Sequence, residues 1–97
     1  MPVSIQIPTL FKQQTEGVSE IDLEPSEAST IHVMLDTLFE RYPSLEEKIL
    51  DKNGKQQRCV NFFVNGLDVR FIKGLESSLS DGDEVMIVPA IAGGIGD

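Results

Sequence analysis

The chain holds one cysteine and one histidine in 97 residues. Cys59 alone forms neither an internal disulfide nor a metal cluster, which fits a reducing, cytoplasmic setting. It sits in a predicted strand beside Arg58, where packing or surface exposure is the default role. His32 falls at a polar position of a predicted helix, between Ile31 and Val33. With no second histidine or cysteine near it in sequence, a solvated or capping role fits it better than a ligand role. Basic residues are also scarce: 8 Lys and Arg stand against 16 Asp and Glu, a net charge of −8. A nucleic-acid binder needs cations for the phosphates, so that class is disfavoured. The acidity suits docking to a basic protein groove, and it serves solubility equally well. No apolar run is long enough to span a membrane. Met1-Pro2-Val3-Ser4 shows no basic region leading into an apolar stretch, so no signal peptide is expected. Phosphate loop, dinucleotide fingerprint and nucleophile elbow are all missing. Asp81 and Asp83 flank Gly82 and read as turn residues rather than a cation site. The expectation is a chain that is not itself an enzyme and binds no metal or cofactor of its own.

What is present fits one small domain. A chain of this length buries roughly two-thirds of its unfolded surface, enough for one modest core. Composition is ordinary for a globular protein, 40% hydrophobic and 25% charged. Val3, Ile5 and Ile7 alternate with polar residues and predict a half-buried strand that Pro8 ends. Thr9 to Gly17 is a connection with Leu10 and Phe11 folded back on the core. Val18 to Leu23 is a second strand, with Ile21 and Leu23 inward. Ile31, Met34, Leu35, Leu38, Phe39 and Tyr42 recur at helical spacing and give the clearest amphipathic helix. Ser29 or Thr30 caps it, and Pro43 stops it. Ser44 and Glu47 have capping-box spacing, so Leu45 to Leu50 is expected as a short second helix. Asp51 to Lys55 is a turn.

Arg58 to Val64 reads as a strand, and Asn65-Gly66 is the strongest hairpin signal in the chain. Leu67 to Phe71 is the predicted partner strand. Asp81 to Asp83 then turns the chain into Glu84 to Val88, whose unbroken run Val85-Met86-Ile87-Val88 suits a central strand. One amphipathic helix against one face of a mixed sheet makes the class α+β. The simplest topology is a β-grasp, ubiquitin-like arrangement of about five strands, with the last strand central beside the first. The domain is expected over 1–90 and a flexible tail over 91–97. In that tail, Gly93 and Gly94 lack a Cβ and fit a channel too narrow for any side chain. An unpinned terminus is the simpler reading of a glycine-rich end taken alone.

The segment Val60-Asn61-Phe62-Phe63-Val64-Asn65-Gly66-Leu67-Asp68-Val69-Arg70-Phe71 resembles the strand-turn-strand of the MoaD/ThiS family of ubiquitin-like sulfur-carrier proteins. Leu75, Leu79 and Asp81-Gly82-Asp83-Glu84-Val85 match its approach to the final strand. Pro89-Ala90-Ile91-Ala92-Gly93-Gly94 matches its tail. Ile7-Pro8-Thr9-Leu10 is similar to the branch that supplies sulfur for cysteine-type synthesis. The likeness spans nearly the whole chain. The iron–sulfur branch of β-grasp proteins needs four cysteines and is excluded.

The resemblance implies chemistry supplied by partners. An adenylating, E1-like enzyme using ATP and Mg²⁺ activates the carboxylate of the last glycine, here Gly94. Sulfide or a persulfide then displaces AMP and leaves a thiocarboxylate. Ala92 and Gly93 are the residues that thread the channel. Gly94 is followed by Ile95, Gly96 and Asp97, which departs from carriers ending at the glycine pair. The resemblance implies a precursor whose extension is removed by a JAMM-type metalloprotease that uses zinc. The sulfur acceptor implied is a PLP-dependent synthase, or another acceptor enzyme of cysteine or related sulfur metabolism. A ubiquitin-like protein modifier and a small subunit of molybdopterin synthase remain alternatives, as does a β-grasp interaction module with an inert tail. Alternation along the strand before Asn65 puts Phe63 on the face opposite Val60, Phe62 and Val64. Phe63, with Met86 nearby, is then a candidate docking patch for the activating enzyme, unless loops cover it.

Overall fold

The computed structural model describes residues 1–89; the tail, with Ala92, Gly93, Gly94, Ile95, Gly96 and Asp97, lies outside the described residues. Five strands form one sheet: β1 (Val3–Gln6), β2 (Glu20–Leu23), β3 (Val60–Val64), β4 (Leu67–Asp68) and β5 (Glu84–Pro89). Their spatial order is β2-β1-β5-β3-β4. β1 and β2 are antiparallel, with Ile5 opposite Ile21. β5 runs parallel to β1 and antiparallel to β3, so it is the central strand. Two helices, α1 (Ile31–Arg41) and α2 (Glu46–Ile49), lie between β2 and β3 in sequence.

Period-two burial builds one side of the core. Val3 and Ile5, Ile21 and Leu23, Val60 and Phe62, and Val85 and Ile87 are all buried. Helical spacing builds the other side, with Ile31, Met34, Leu35 and Leu38 at most 1% exposed. The two sets form one cluster, onto which Phe39 and Tyr42 pack from the rim. Thr30 caps α1, its side chain accepting a hydrogen bond from the Val33 N–H at 3.1 Å. This satisfies one of the donors left orphaned at a helix start.

Four local expectations are corrected. Leu10 is 56% exposed while Phe11 is buried. The chain makes a single 3₁₀ turn over Thr9–Phe11, and only the last of its three side chains is buried. The strand beginning Val18 is shorter, since Val18 and Ser19 precede β2. The second helix starts as a 3₁₀ turn over Pro43–Leu45, and no side chain caps α2, so the Ser44–Glu47 box does not form. A reciprocal contact of that spacing occurs instead at Glu24, whose N–H donates to Glu27 Oε1 at 3.1 Å. Finally, β4 is two residues long rather than Leu67 to Phe71. The Asp68 carboxylate accepts the Arg70 N–H at 2.9 Å and turns the chain into a 3₁₀ helix over Val69–Phe71.

Candidate functional site

β5 positions the candidate site, because it is central and the tail continues from its end. Its alternation buries Val85 and Ile87 and leaves Met86 47% exposed on the open face of the sheet. Phe63 of β3 stands directly opposite Met86, and Asn61 opposite Val88. Phe63, Met86 and Val88, with Glu84 and Gly66 at the margin, line a shallow apolar depression of about 270 Å³. The two residues named from sequence are thus neighbours on one surface, and no described loop closes over Met86.

Polar strands flank this patch. Ser4 and Gln6 of β1 pair with Glu84 and Met86 of β5, and with Asp22 and Glu20 of β2. The Ser4 hydroxyl donates to Glu20 at 2.9 Å. On the far side Asp68 pairs with Phe63. The Asp68 carboxylate accepts from the Arg70 guanidinium at 2.8 Å and 3.2 Å. The Arg70 guanidinium and then the Arg70 N–H hold the Asp68 carboxyl below its ordinary value of 3.8, and the carboxylate in turn raises the arginine. The apolar strip therefore runs between an acidic edge and a fixed ion pair.

A second feature escaped sequence reading. Asn65 and Gly66 have φ of 50° and 89°, the left-handed pair that a tight hairpin requires. The Asn65 side chain also reaches β5, where its amide donates to Asp83 Oδ1 at 3.0 Å and its oxygen accepts the Glu84 N–H at 3.0 Å. Asp83 in turn accepts the Ser80 N–H at 2.8 Å. The start of β5 is thereby clamped to the β3–β4 turn. Asn-Gly signals the turn; nothing in the sequence signals a contact across 18 positions.

At the other end of β5, Pro89 pairs with Val60 and is the last of the described residues. A groove of about 500 Å³ lies there, lined among others by Leu10, Phe11, Gln14, Cys59, Val60 and Pro89. Cys59 is exposed at its wall. The buried Oε1 of Gln14 has no hydrogen-bond partner among the described residues. His32, on α1, lines neither feature and has Asp36 and Glu76 each 3.6 Å away on the surface. No group of three or more His, Cys, Asp or Glu side chains suited to a metal occurs among the described residues, and no described helix is long and apolar enough to cross a membrane.

A mixed sheet with parallel first and last strands at its centre and one main helix on a single face defines the ubiquitin-like β-grasp class. Within that class the chain belongs to the ThiS family, whose profile matches residues 6–94. The sulfur carrier protein CysO of Mycobacterium tuberculosis is 36% identical over 96 residues, covering 97% of this chain and 100% of CysO. A chain of the Amycolatopsis orientalis BexX/CysO complex superposes with a TM-score of 0.83 at 33% identity, covering 93% of this chain and 97% of that one. Small archaeal modifier protein 3 of Haloferax volcanii is 28% identical over 82 residues, 84% of this chain and 88% of the relative. The family expected from the residues is the family found, and its sulfur-carrier members support a carrier role for this chain.

Proposed function

We propose that this protein carries sulfur as a thiocarboxylate on Gly94 and delivers it to a biosynthetic enzyme of cysteine or related sulfur metabolism. The observation that carries the reading is that the central strand leads at Pro89 into Ala90-Ile91-Ala92-Gly93-Gly94, and the ThiS family match ends at Gly94. Ile95, Gly96 and Asp97 lie beyond that match. A zinc-dependent JAMM-type protease removes them and frees the Gly94 carboxylate. An adenylating enzyme then joins that carboxylate to the α-phosphate of ATP, with Mg²⁺ balancing charge and pyrophosphate leaving. Hydrosulfide attacks the acyl carbon and AMP departs. A carboxylate is a poor electrophile, so the adenylate is what makes sulfur entry feasible. The product holds reduced, nucleophilic sulfur on a protein handle, and tethering raises its effective concentration at the acceptor. The Phe63–Met86 patch offers the activating enzyme an apolar contact. The chain acts as a co-substrate, and no catalytic residue is assigned to it.

The test is the intact mass of the protein recovered from its native cells. A chain ending at Gly94 with one oxygen replaced by sulfur is expected. A chain that still ends at Asp97 during sulfur-demanding growth, with no trimmed fraction, would sink the processing step. Similarity to an archaeal modifier protein supports a second reading, in which the activated Gly94 is joined to lysine amines of other proteins. Isopeptide-linked conjugates in the same cells would favour it.

A further inference from the structure

The charges of this acidic chain are unevenly placed. Five of its eight cations, Lys12, Lys48, Lys52, Lys55 and Arg58, lie in the two connecting regions 9–18 and 44–59. These regions hold four carboxylates, Glu16, Glu46, Glu47 and Asp51. The rest of the described chain carries three cations against eleven carboxylates. Both regions meet at the end of the sheet from which the tail departs. The first follows β1, which runs parallel to β5, and the second leads into β3 at Val60, opposite Pro89. Lys48, Gln57 and Cys59, with the one carboxylate Glu47, join Leu10, Phe11 and Pro89 around the groove there. Gln57 ties the second region together by donating to the Glu47 and Leu50 carbonyls at 3.0 and 3.3 Å. Lys48, Lys52, Lys55 and Arg58 are exposed, and none of the five cations forms an ion pair among the described residues. Arg41 and Arg70, by contrast, are paired.

We infer that Lys12, Lys48 and Arg58 form a cationic collar around the root of the tail, which seats against a carboxylate-bearing rim of the enzyme that receives the tail. The inference rests on the carrier reading above. Reach decides what the collar touches. The five residues from Ala90 through Gly94 span at most about 17 Å when fully extended. With Gly94 at a buried reaction centre, Pro89 and its surroundings lie within that reach of it, at the channel mouth, so the collar faces the rim of the channel. The groove beside Pro89 supplies apolar contact at the same mouth. Because the remaining surface is strongly acidic, an acidic rim attracts only this end of the molecule and repels the others. The tail is thereby presented first.

The test combines Lys12→Glu, Lys48→Glu and Arg58→Glu in one variant, with Lys73→Glu as a charge control outside the collar. Thiocarboxylate formation is measured with the adenylating enzyme of the same genome, on protein ending at Gly94. The triple variant is expected to raise KM for the carrier roughly tenfold or more at low salt, with kcat within about twofold of wild type, and the gap is expected to narrow as salt screens it. The Lys73→Glu control is expected to match wild type. An unchanged KM in the triple variant, with wild type normally active, overturns the collar and leaves the carrier reading standing. Failure of wild type itself to be adenylated overturns both. Retention of wild type on DNA or heparin at physiological salt, lost in the triple variant, would assign the cations to nucleic acid and overturn the proposal.

Discussion

At Asn65 one side chain serves two structures. Its backbone adopts the left-handed conformation of the hairpin turn, and its amide group bridges to Asp83 and Glu84. The two contributions separate by substitution. Asn65→Gly keeps the backbone but removes the bridge, and is expected to cost about 1 kcal/mol. Asn65→Ala also removes the bridge and places in the left-handed region a residue that tolerates it less well than asparagine or glycine, and is expected to cost about 1 kcal/mol more. Urea denaturation of both variants measures the difference; a neutral Asn65→Gly would show that the bridge contributes nothing. Asp68 gives a second prediction at this scale. Its carboxyl is held below 3.8 by the Arg70 guanidinium and the Arg70 N–H. A depressed folded-state value means the proton binds the unfolded chain more readily. The stabilisation is therefore complete above 3.8 and is lost as pH falls through the lower folded value. Asp51 adds to the same acid limb, held down first by the Lys55 N–H and then by the Asn53 N–H. Asp68→Asn is expected to flatten the fall of stability below about pH 4. An unchanged slope in a pH series of melting curves would remove Asp68 from the account.

At the scale of elements, β3 shows how alternation divides labour. Phe62 is fully buried, while its neighbour Phe63 faces the open side opposite Met86. Phe62→Ala is expected to cost about 3–5 kcal/mol, enough to threaten a domain of this size. Phe63→Asp is expected to leave thermal stability nearly unchanged and to weaken binding to the activating enzyme roughly tenfold or more. Calorimetry on the first and titration binding on the second separate core from surface. Equal losses of stability in both would mean that Phe63 is core. The strong elements were legible in the sequence because each has a period and a punctuation mark. α1 has a repeating apolar stripe, a Thr30 cap and a Pro43 stop. The β3–β4 hairpin has Asn-Gly. The weak elements were not. β4 ends after two residues because Asp68 captures the Arg70 N–H, a local hydrogen bond that competes with the strand ladder. Ser44 and Glu47 fit a capping pattern, but the chain from Pro43 tightens into a 3₁₀ turn before α2 begins.

Across the whole molecule, order in the sequence and order in the sheet differ, and the difference sets the end of β5 in the middle of the sheet. β5 is the last strand made and the middle strand of the sheet. Its inner side chains, Val85 and Ile87, are locked in the core, so its end is a firm base for whatever follows Pro89. Gly94→Ala in protein ending at residue 94 is expected to leave the fold unchanged and to lower the rate of adenylation by roughly tenfold or more, since a methyl group meets a channel shaped for glycine. ATP–pyrophosphate exchange measures this, and an unaltered rate would show that the activating enzyme does not test for a Cβ. While the expected tail lies outside the described residues, the central place of the last strand beside the first, and the family, were both expected from the residues. So was the class of surface that Phe63 faces, because a period of two assigns sides without any knowledge of the fold.

The sequence by itself determined the inward faces of the strands and of the chief helix, where that helix and the hairpin lie, and that a glycine pair follows the last strand. Those facts are local: they depend on spacing along the chain and on the conformational preferences of Gly, Pro, Asn and Thr. Only the tertiary structure decided what depends on distant neighbours. It joined Asn65 to Asp83 and Glu84. It also set Lys48 in one groove with Leu10, Phe11 and Pro89. Such contacts are set by strand register and by which ends of the sheet two loops share, and residues far apart in sequence carry no mark of either before the chain folds.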